Sequence, residues 1–232
     1  NISATDTAVD DTDGFTKLKG AGSVATFTIG SSTYAIVASD DLWLGDGILG
    51  GVQIIDISDP NNIVAKDAET DGENGFTMLR GAAGVATFTI GSGTYAIVTG
   101  YSDDGVQIID ISDPSNISAT DTAVDDSVDS ESDFTMLYGA QGVATFTIGA
   151  NTYAIVTAYG EGGVQIIDIS DPNNIVAKDT AVDDTGGFTM LYGAYGVATF
   201  TIGSGTYAIV TEYDDDGVQI IDISDPSNIS AT

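Results

Sequence analysis

Carboxylates are the only ionisable side chains abundant enough in this chain to support chemistry. Thirty-five Asp and Glu stand against five Lys and Arg, and His and Cys are absent. Those absences remove the usual general base, the thiol nucleophile and the thiolate metal site. What remains is ligation of a hard cation, or acid–base work by a carboxylate pair. In DAETDG, Asp67, Glu69 and Asp71 alternate ahead of Gly72, a spacing in which side chains can wrap one calcium ion while the glycine permits the turn. The stretch departs from the usual calcium loop in its Glu at the second position, and no bidentate Glu follows at the expected distance. DSESD offers Asp129, Glu131 and Asp133 in the same alternation without the glycine. These six are the candidate calcium ligands. The competing reading is a solvated acidic face, as in proteins adapted to high salt. Paired carboxylates alone can hydrolyse glycosides, but no single asymmetric pair stands out, so the chain is expected to be non-enzymatic.

Such acids must be positioned by a repeated scaffold. The segment GVQIIDISDP begins at Gly51, Gly105, Gly163 and Gly217, and a long, nearly constant segment at so regular a period marks a repeat architecture. The repeats run over about 1–60, 61–114, 115–172 and 173–226, with 227–232 starting a further repeat or a linker. The last copy holds three β-branched runs, Val197 to Ile202, Tyr207 to Tyr213 and Val218 to Ile223. A more polar segment after Asp-Pro is seen complete from Asn174 to Val182. These are taken as strands a, b, c and d of an antiparallel meander. Strands a to c are apolar on both faces, which suits blades stacked about an axis better than an open sheet. The fold class is therefore all-β: a propeller of four four-stranded antiparallel blades, its ring closed by the N-terminal strand.

The stretch GVATFTIGSGTYAIVTEYDDDGVQIIDISDPSN resembles the LVIVD-repeat family of prokaryotic β-propellers, most specifically in the c strand and its Asp-Pro turn. The resemblance spans essentially the whole chain, which departs from the family in an extra FTMLYGAY-like approach to strand a and in Ile where the family has a proline after Asn. It implies a secreted or surface propeller and no common catalytic residues to carry over.

NISAT stands at both 1–5 and 228–232. The expectation is that Asn1 to Asp10 pairs with strand c of the last repeat, leaving 228–232 to lead onward in a longer array. The d-to-a and b-to-c connections lie at one end of every blade and carry most of the acids. Asp56, Asp110, Asp168 and Asp222 fall inside the apolar c strand, where a charge is costly unless hydrogen-bonded, so a structural role accepting loop amides is favoured. Tyr34, Tyr95, Tyr153 and Tyr207 read as core. Asn1, Asn116 and Asn228 each open Asn-Ile-Ser, the N-glycosylation pattern. The insertion DLWLGDGILG carries Trp43, Leu44, Ile48 and Leu49, an apolar loop on the acidic end read as a contact between modules.

A net charge of −30 excludes nucleic acid and anionic membranes as partners, and no apolar run reaches the ~20 residues of a membrane helix. The resulting expectation is an extracellular or cell-surface structural protein. Its identical modules would join head-to-tail, in one chain or as a homo-oligomer, with calcium stabilisation and glycans. A lectin-like adhesin is the alternative.

Overall fold

The computed structural model describes residues 3–40, 50–125, 133–214 and 216–232. Blade 1 consists of β1 (Ala21–Ile29), β2 (Ser32–Ser39), β3 (Gly51–Asp56) and β4 (Val64–Thr70). Blade 2 consists of β5 (Ala82–Ile90), β6 (Gly93–Gly100), β7 (Gly105–Asp110) and β8 (Ser118–Val124). Blade 3 holds β9 (Ala140–Ile148), β10 (Asn151–Ala158), β11 (Gly163–Asp168) and β12 (Val176–Val182). Blade 4 holds β13 (Ala194–Ile202), β14 (Gly205–Glu212), β15 (Val218–Asp222) and β16 (Ser230–Ala231). Each blade is an antiparallel meander in chain order. The first strand of each blade is innermost, and β1, β5, β9 and β13 meet in succession around one axis. This is a β-propeller architecture of four blades.

The GVQIID strands are buried along their apolar length in blades 1 to 3 because each lies between two neighbouring layers. Their glutamine explains the recurrence of the motif. Strand d bulges opposite it, with the register slipping between Gln53 and Ile55, and similarly in blades 2 and 3. The Gln53 amide fills the slip: Nε2 donates to the Asp67 carbonyl at 2.9 Å and the Ile54 carbonyl at 3.3 Å, while Oε1 accepts the Thr16 amide at 2.9 Å. Gln107 and Gln165 make the same three bonds.

Blades are joined by three near-identical seams. In the first, Phe27, Ile36, Val52 and Ile54 of blade 1 pack on Phe76, Leu79, Val98 and Ile109 of blade 2. Equivalent residues build the other two seams. Polar clamps fix the register between layers. Asp67 Oδ2 accepts the Ile117 amide of the next blade at 2.8 Å, and Asp121 with Ile175 and Asp179 with Ile229 repeat the bond at 2.8 Å. Along the axis, the Thr87, Thr145 and Thr199 hydroxyls each donate to the inner-strand carbonyl of the preceding blade. Hydrogen bonds to a charged group contribute about 1.5–3 kcal/mol, so Asp121→Ala is expected to lower unfolding free energy by about 2 kcal/mol. Amide exchange should rise first at Ile175 on the seam between blades 2 and 3.

Ring closure is a correction to the sequence reading. The place beside β15 is taken by β16 from the C-terminal side, with Ile221 facing Ala231 and Asp222 facing Ser230. Residues 3–9 form no strand. They lie against blade 1, where Asp6 Oδ2 accepts the Ile63 amide at 2.8 Å and Ala8 packs with Phe15, Leu18 and Ala35. The NISAT segments at the two ends are identical, so local sequence cannot choose between them; the shorter path from β15 favours the C-terminal copy.

Candidate functional site: a tyrosine mouth on the axis

At the acid-rich end of the axis, Asp40, Ala83, Tyr101, Gln141, Tyr159, Tyr195 and Tyr213 surround a pocket of about 450 Å³. Below it a narrower space of about 240 Å³ runs between the four inner strands, lined by Gly84, Gly142, Gly196 and their neighbours. Two repeat positions build the mouth. One is the residue that follows strand b: Asp40, Tyr101, Tyr159 and Tyr213. The other is the second residue of the inner strand, occupied in turn by Gly22, Ala83, Gln141 and Tyr195.

The first position is held by a glycine. The amides of Asp40, Tyr101, Tyr159 and Tyr213 donate to the carbonyls of Gly20, Gly81, Gly139 and Gly193 at 3.0–3.2 Å. These glycines sit at φ between 67° and 73°, the left-handed region, and a Cβ on Gly20 would run into the Asp40 carbonyl. The second position is aimed inward by a bulge at the start of each inner strand. The hydroxyl of Thr99 closes that bulge, accepting the Gly84 amide and donating to the Gln141 carbonyl of the next blade, both at 2.7 Å. Thr157 does the same for Gly142 and for the Tyr195 carbonyl, at 2.7 and 2.8 Å. Gln141 and Tyr195 are thus pinned by the blade before them.

The rings form one connected cluster. Tyr159 lies 6.3 Å from Tyr101, 6.4 Å from Tyr195 and 6.4 Å from Tyr213, and Tyr195 lies 6.0 Å from Tyr213. The negative field of Asp214 raises the Tyr159 phenol above its ordinary pKa, with burial and the neighbouring tyrosines adding to it. The Tyr159 phenol therefore stays protonated and serves as both donor and acceptor.

Carboxylates around this end do structural work. Asp10, Asp71, Asp125 and Asp183 accept the amides of Leu18, Leu79, Leu137 and Leu191 at 2.7–3.1 Å, closing the connection into each inner strand. Asp103 and Glu161 come from the b-to-c turns and accept the amides of Arg80 and Tyr138. Burial, then the field of Asp71, pushes Asp103 up to about 6. Burial, then the fields of Asp125 and Asp104, pushes Glu161 up to about 7.

The candidate calcium ligands do not converge. Asp67 and Glu69 lie within strand β4, and Asp67 is turned to the Ile117 amide. Glu69 Oε2 accepts the Asn74 side chain at 3.0 Å, and Asp71 caps Leu79. Among the described residues no three acidic side chains come together to hold a metal. An extended strand sets alternate residues about 6–7 Å apart, whereas calcium needs oxygens within about 2.3–2.6 Å of one point. Asp133 is exposed, and Asp129 and Glu131 lie outside the described residues, as do Trp43, Leu44, Ile48, Leu49 and Asn1. Asn116 and Asn228 are exposed in the turns after Asp-Pro. Asp56, Asp110, Asp168 and Asp222 accept the amides of Ser58, Ser112, Ser170 and Ser224 at 2.9–3.0 Å. Lys66 and Lys178 reach Asp56 and Asp168 at 3.5 and 3.4 Å. Tyr34, Tyr95, Tyr153 and Tyr207 stack on Phe27, Phe88, Phe146 and Phe200 at 5.4–5.6 Å. The mouth tyrosines escape a reading by hydrophobic alternation. The signal was an aromatic directly after strand b in three of four repeats.

The family model described as LVIVD repeat matches residues 90–122, 152–181 and 203–231. LVIVD repeats thus occur in three places along the chain. A search of curated proteins returns no match. Among solved structures, a thermostable family-43 glycoside hydrolase aligns at 11% identity and TM-score 0.57, covering 92% of this chain and 72% of that one. An exo-β-1,3-galactanase of Phanerochaete chrysosporium aligns at 12% and 0.58, covering 100% and 53%. The Aleuria aurantia lectin, in complex with α-methyl-L-fucoside, aligns at 9% and 0.56, covering 90% and 59%. The chain thus spans only about half of the galactanase's length. These likenesses show the propeller fold. Several structures with this fold are glycoside hydrolases, which overturns the expectation that such a chain is not an enzyme; at 10–13% identity the likeness shows the fold and not an activity. The expectation failed because it looked for one distinctive acidic motif. A propeller can draw its reacting groups from several near-identical blades, and repetition in the sequence does not make their environments equal.

Proposed function

We propose that this LVIVD-repeat propeller is a carbohydrate-recognising protein of the extracellular space or cell surface, and that the sugar enters the tyrosine mouth. The observation that carries this reading is the cluster of Tyr101, Tyr159, Tyr195 and Tyr213 around a pocket with Asp40 and Gln141 on its wall. Aromatic faces accept the apolar side of a pyranose, and the phenols, amide and carboxylate suit its hydroxyls. The similar structures include a lectin and a galactanase with sugars bound, which fits the same reading.

The test is binding to a glycan array followed by calorimetry on the best ligands. Tyr159→Ala should weaken binding at least about tenfold, an aromatic contact contributing about 0.5–1.5 kcal/mol beyond its area, with the melting temperature unchanged. No glycan bound, or tetramethylammonium bound in place of sugar, would overturn the assignment. Hydrolysis is the second reading, favoured by Glu161, which burial and the field of Asp125 raise to about 7 beside that second carboxylate. It would show as reducing ends released from a bound oligosaccharide and lost in Glu161→Gln.

A further inference from the structure

Two tyrosines at the acid-rich end stand outside the mouth and outside the core. Of the ten in the chain, Tyr34, Tyr95, Tyr153 and Tyr207 stack on phenylalanines, and four line the mouth. Tyr138 and Tyr192 remain, 53% and 59% exposed. Each precedes the left-handed glycine that leads into an inner strand, Gly139 or Gly193. Lys19 and Arg80 hold the same place on blades 1 and 2. An exposed ring standing alone needs no explanation, but large apolar groups gathered in one place mark an interaction surface.

These two rings gather at the turn between β10 and β11, which reads Gly160, Glu161, Gly162. The two glycine places carry Ser102 and Asp104 in blade 2, and Asp214 and Asp216 in blade 4. Blade 3 thus leaves bare the positions that the other two fill. The Tyr138 ring covers Gly160, where a Cβ would run into it. A Cβ on Gly162 would meet the Tyr192 backbone at 3.1 Å and its ring at 3.5 Å. The rings therefore border the turn at its two glycines, with Glu161 between those. Backbone bonds hold this arrangement in place. The Gly160 amide donates to the Tyr138 carbonyl at 3.1 Å, and the Tyr138 amide donates to Glu161 Oε2 at 3.3 Å. The inner edge is continuous with the mouth, since Gly160 directly follows Tyr159. The Tyr159 phenol, raised foremost by Asp214, also feels the Tyr192 phenol.

We propose that Tyr138, Glu161 and Tyr192 form an outer subsite, which takes the next units of an oligosaccharide whose first unit lies in the tyrosine mouth. The proposal rests on the reading of the mouth as a sugar site and adds that the ligand is a chain of sugars. The two rings offer faces to the apolar sides of pyranoses, and the carboxyl between them suits hydroxyls. Lys19 and Arg80 stand where blades 1 and 2 would need such rings, so the aromatic path leaves the axis over blade 3. A second copy of the chain is the poorer occupant, because two bodies of charge −30 repel one another.

The test is calorimetry on the full chain with β-1,3- and β-1,4-linked oligosaccharides of glucose, galactose and N-acetylglucosamine, from one unit to six. Affinity is expected to rise at least about tenfold between one unit and four, since linked contacts bind together. Tyr192→Ala should weaken binding of the four-unit chain at least about fivefold, leave the single sugar unchanged and keep the melting temperature. Tyr192→Phe should retain the gain with length, and Tyr159→Ala should weaken binding at every length. Equal affinity at all lengths, or no change in Tyr138→Ala and Tyr192→Ala, would overturn the outer subsite and leave the mouth standing. No binding at any length would remove both. A proline-rich peptide held by Tyr138 and Tyr192, and not displaced by the oligosaccharides, would give the platform to a protein partner and overturn the proposal.

Discussion

Gln107→Leu is expected to destabilise the protein by about 3–5 kcal/mol, the largest loss from any single polar replacement. The side chain is 1% exposed and holds the Thr77 amide at 3.1 Å, the Asp121 carbonyl at 2.9 Å and the Ile108 carbonyl at 3.3 Å. Leucine matches its bulk and makes none of these bonds. A buried group left without its partner costs about 1–3 kcal/mol, and here a bulge leaves both the Thr77 amide and the Asp121 carbonyl with no other place to turn. Since about 1 kcal/mol moves the midpoint of a domain this size by roughly 2–4 °C, heat or urea unfolding should show a fall of about 10 °C. Gln219→Leu should cost less, because that glutamine lacks one of the three bonds. Equal losses at the two positions, or a loss at Gln107 under about 1 kcal/mol, would remove the glutamine from its central role.

Stability should fall as pH rises from about 4 to about 8, an unusual direction for so acidic a protein. Glu161 at about 7 and Asp103 at about 6 hold protons in the folded state that an unfolded chain releases near pH 4. Between those limits the folded state binds more protons, so raising the pH favours unfolding. Asp6, Asp56, Asp168 and Asp222 act oppositely: hydrogen bonds from amides and hydroxyls hold them below the ordinary range, and their contribution is lost as pH drops through their lowered values. The maximum should therefore lie at about pH 4 to 5. Melting curves from pH 4 to 8 check the profile, and the double variant Glu161→Gln, Asp103→Asn should flatten the neutral side. Performing the series in about 1 M salt removes diffuse repulsion, which is screened beyond about 3 Å. A slope unchanged in the variant would assign the effect to net charge and not to these two groups.

The strands, their order and the blade period were legible in the sequence because each rests on local patterning: β-branched runs, turn residues and a fixed repeat. The structural role of Asp56 and its equivalents was legible too, since a carboxylate within an apolar strand must find donors nearby, and Ser58 supplies them. Ring closure was not. Ser3–Val9 and the segment at Ser230 carry the same start of a strand, and only three-dimensional path length separates them. The Asp67 set does not converge for a related reason: the spacing of Asp67, Glu69 and Asp71 suits a curled loop, but Val64–Thr70 is extended. The tyrosine mouth needed the axis itself. Its one local signal is an aromatic directly after strand b, and only the axis shows that Tyr101 points to the centre while Tyr95 stacks on Phe88.

The aspartate clamps between blades have a mechanical consequence. Tension applied along the chain reaches Asp67–Ile117, Asp121–Ile175 and Asp179–Ile229 one after another, since each spans a seam between successive blades. Such links bear load in series, and the weakest yields first while the rest stay intact. Under strain the molecule is therefore expected to lengthen in discrete blade-sized steps, which pulling on single molecules would read as evenly spaced force peaks.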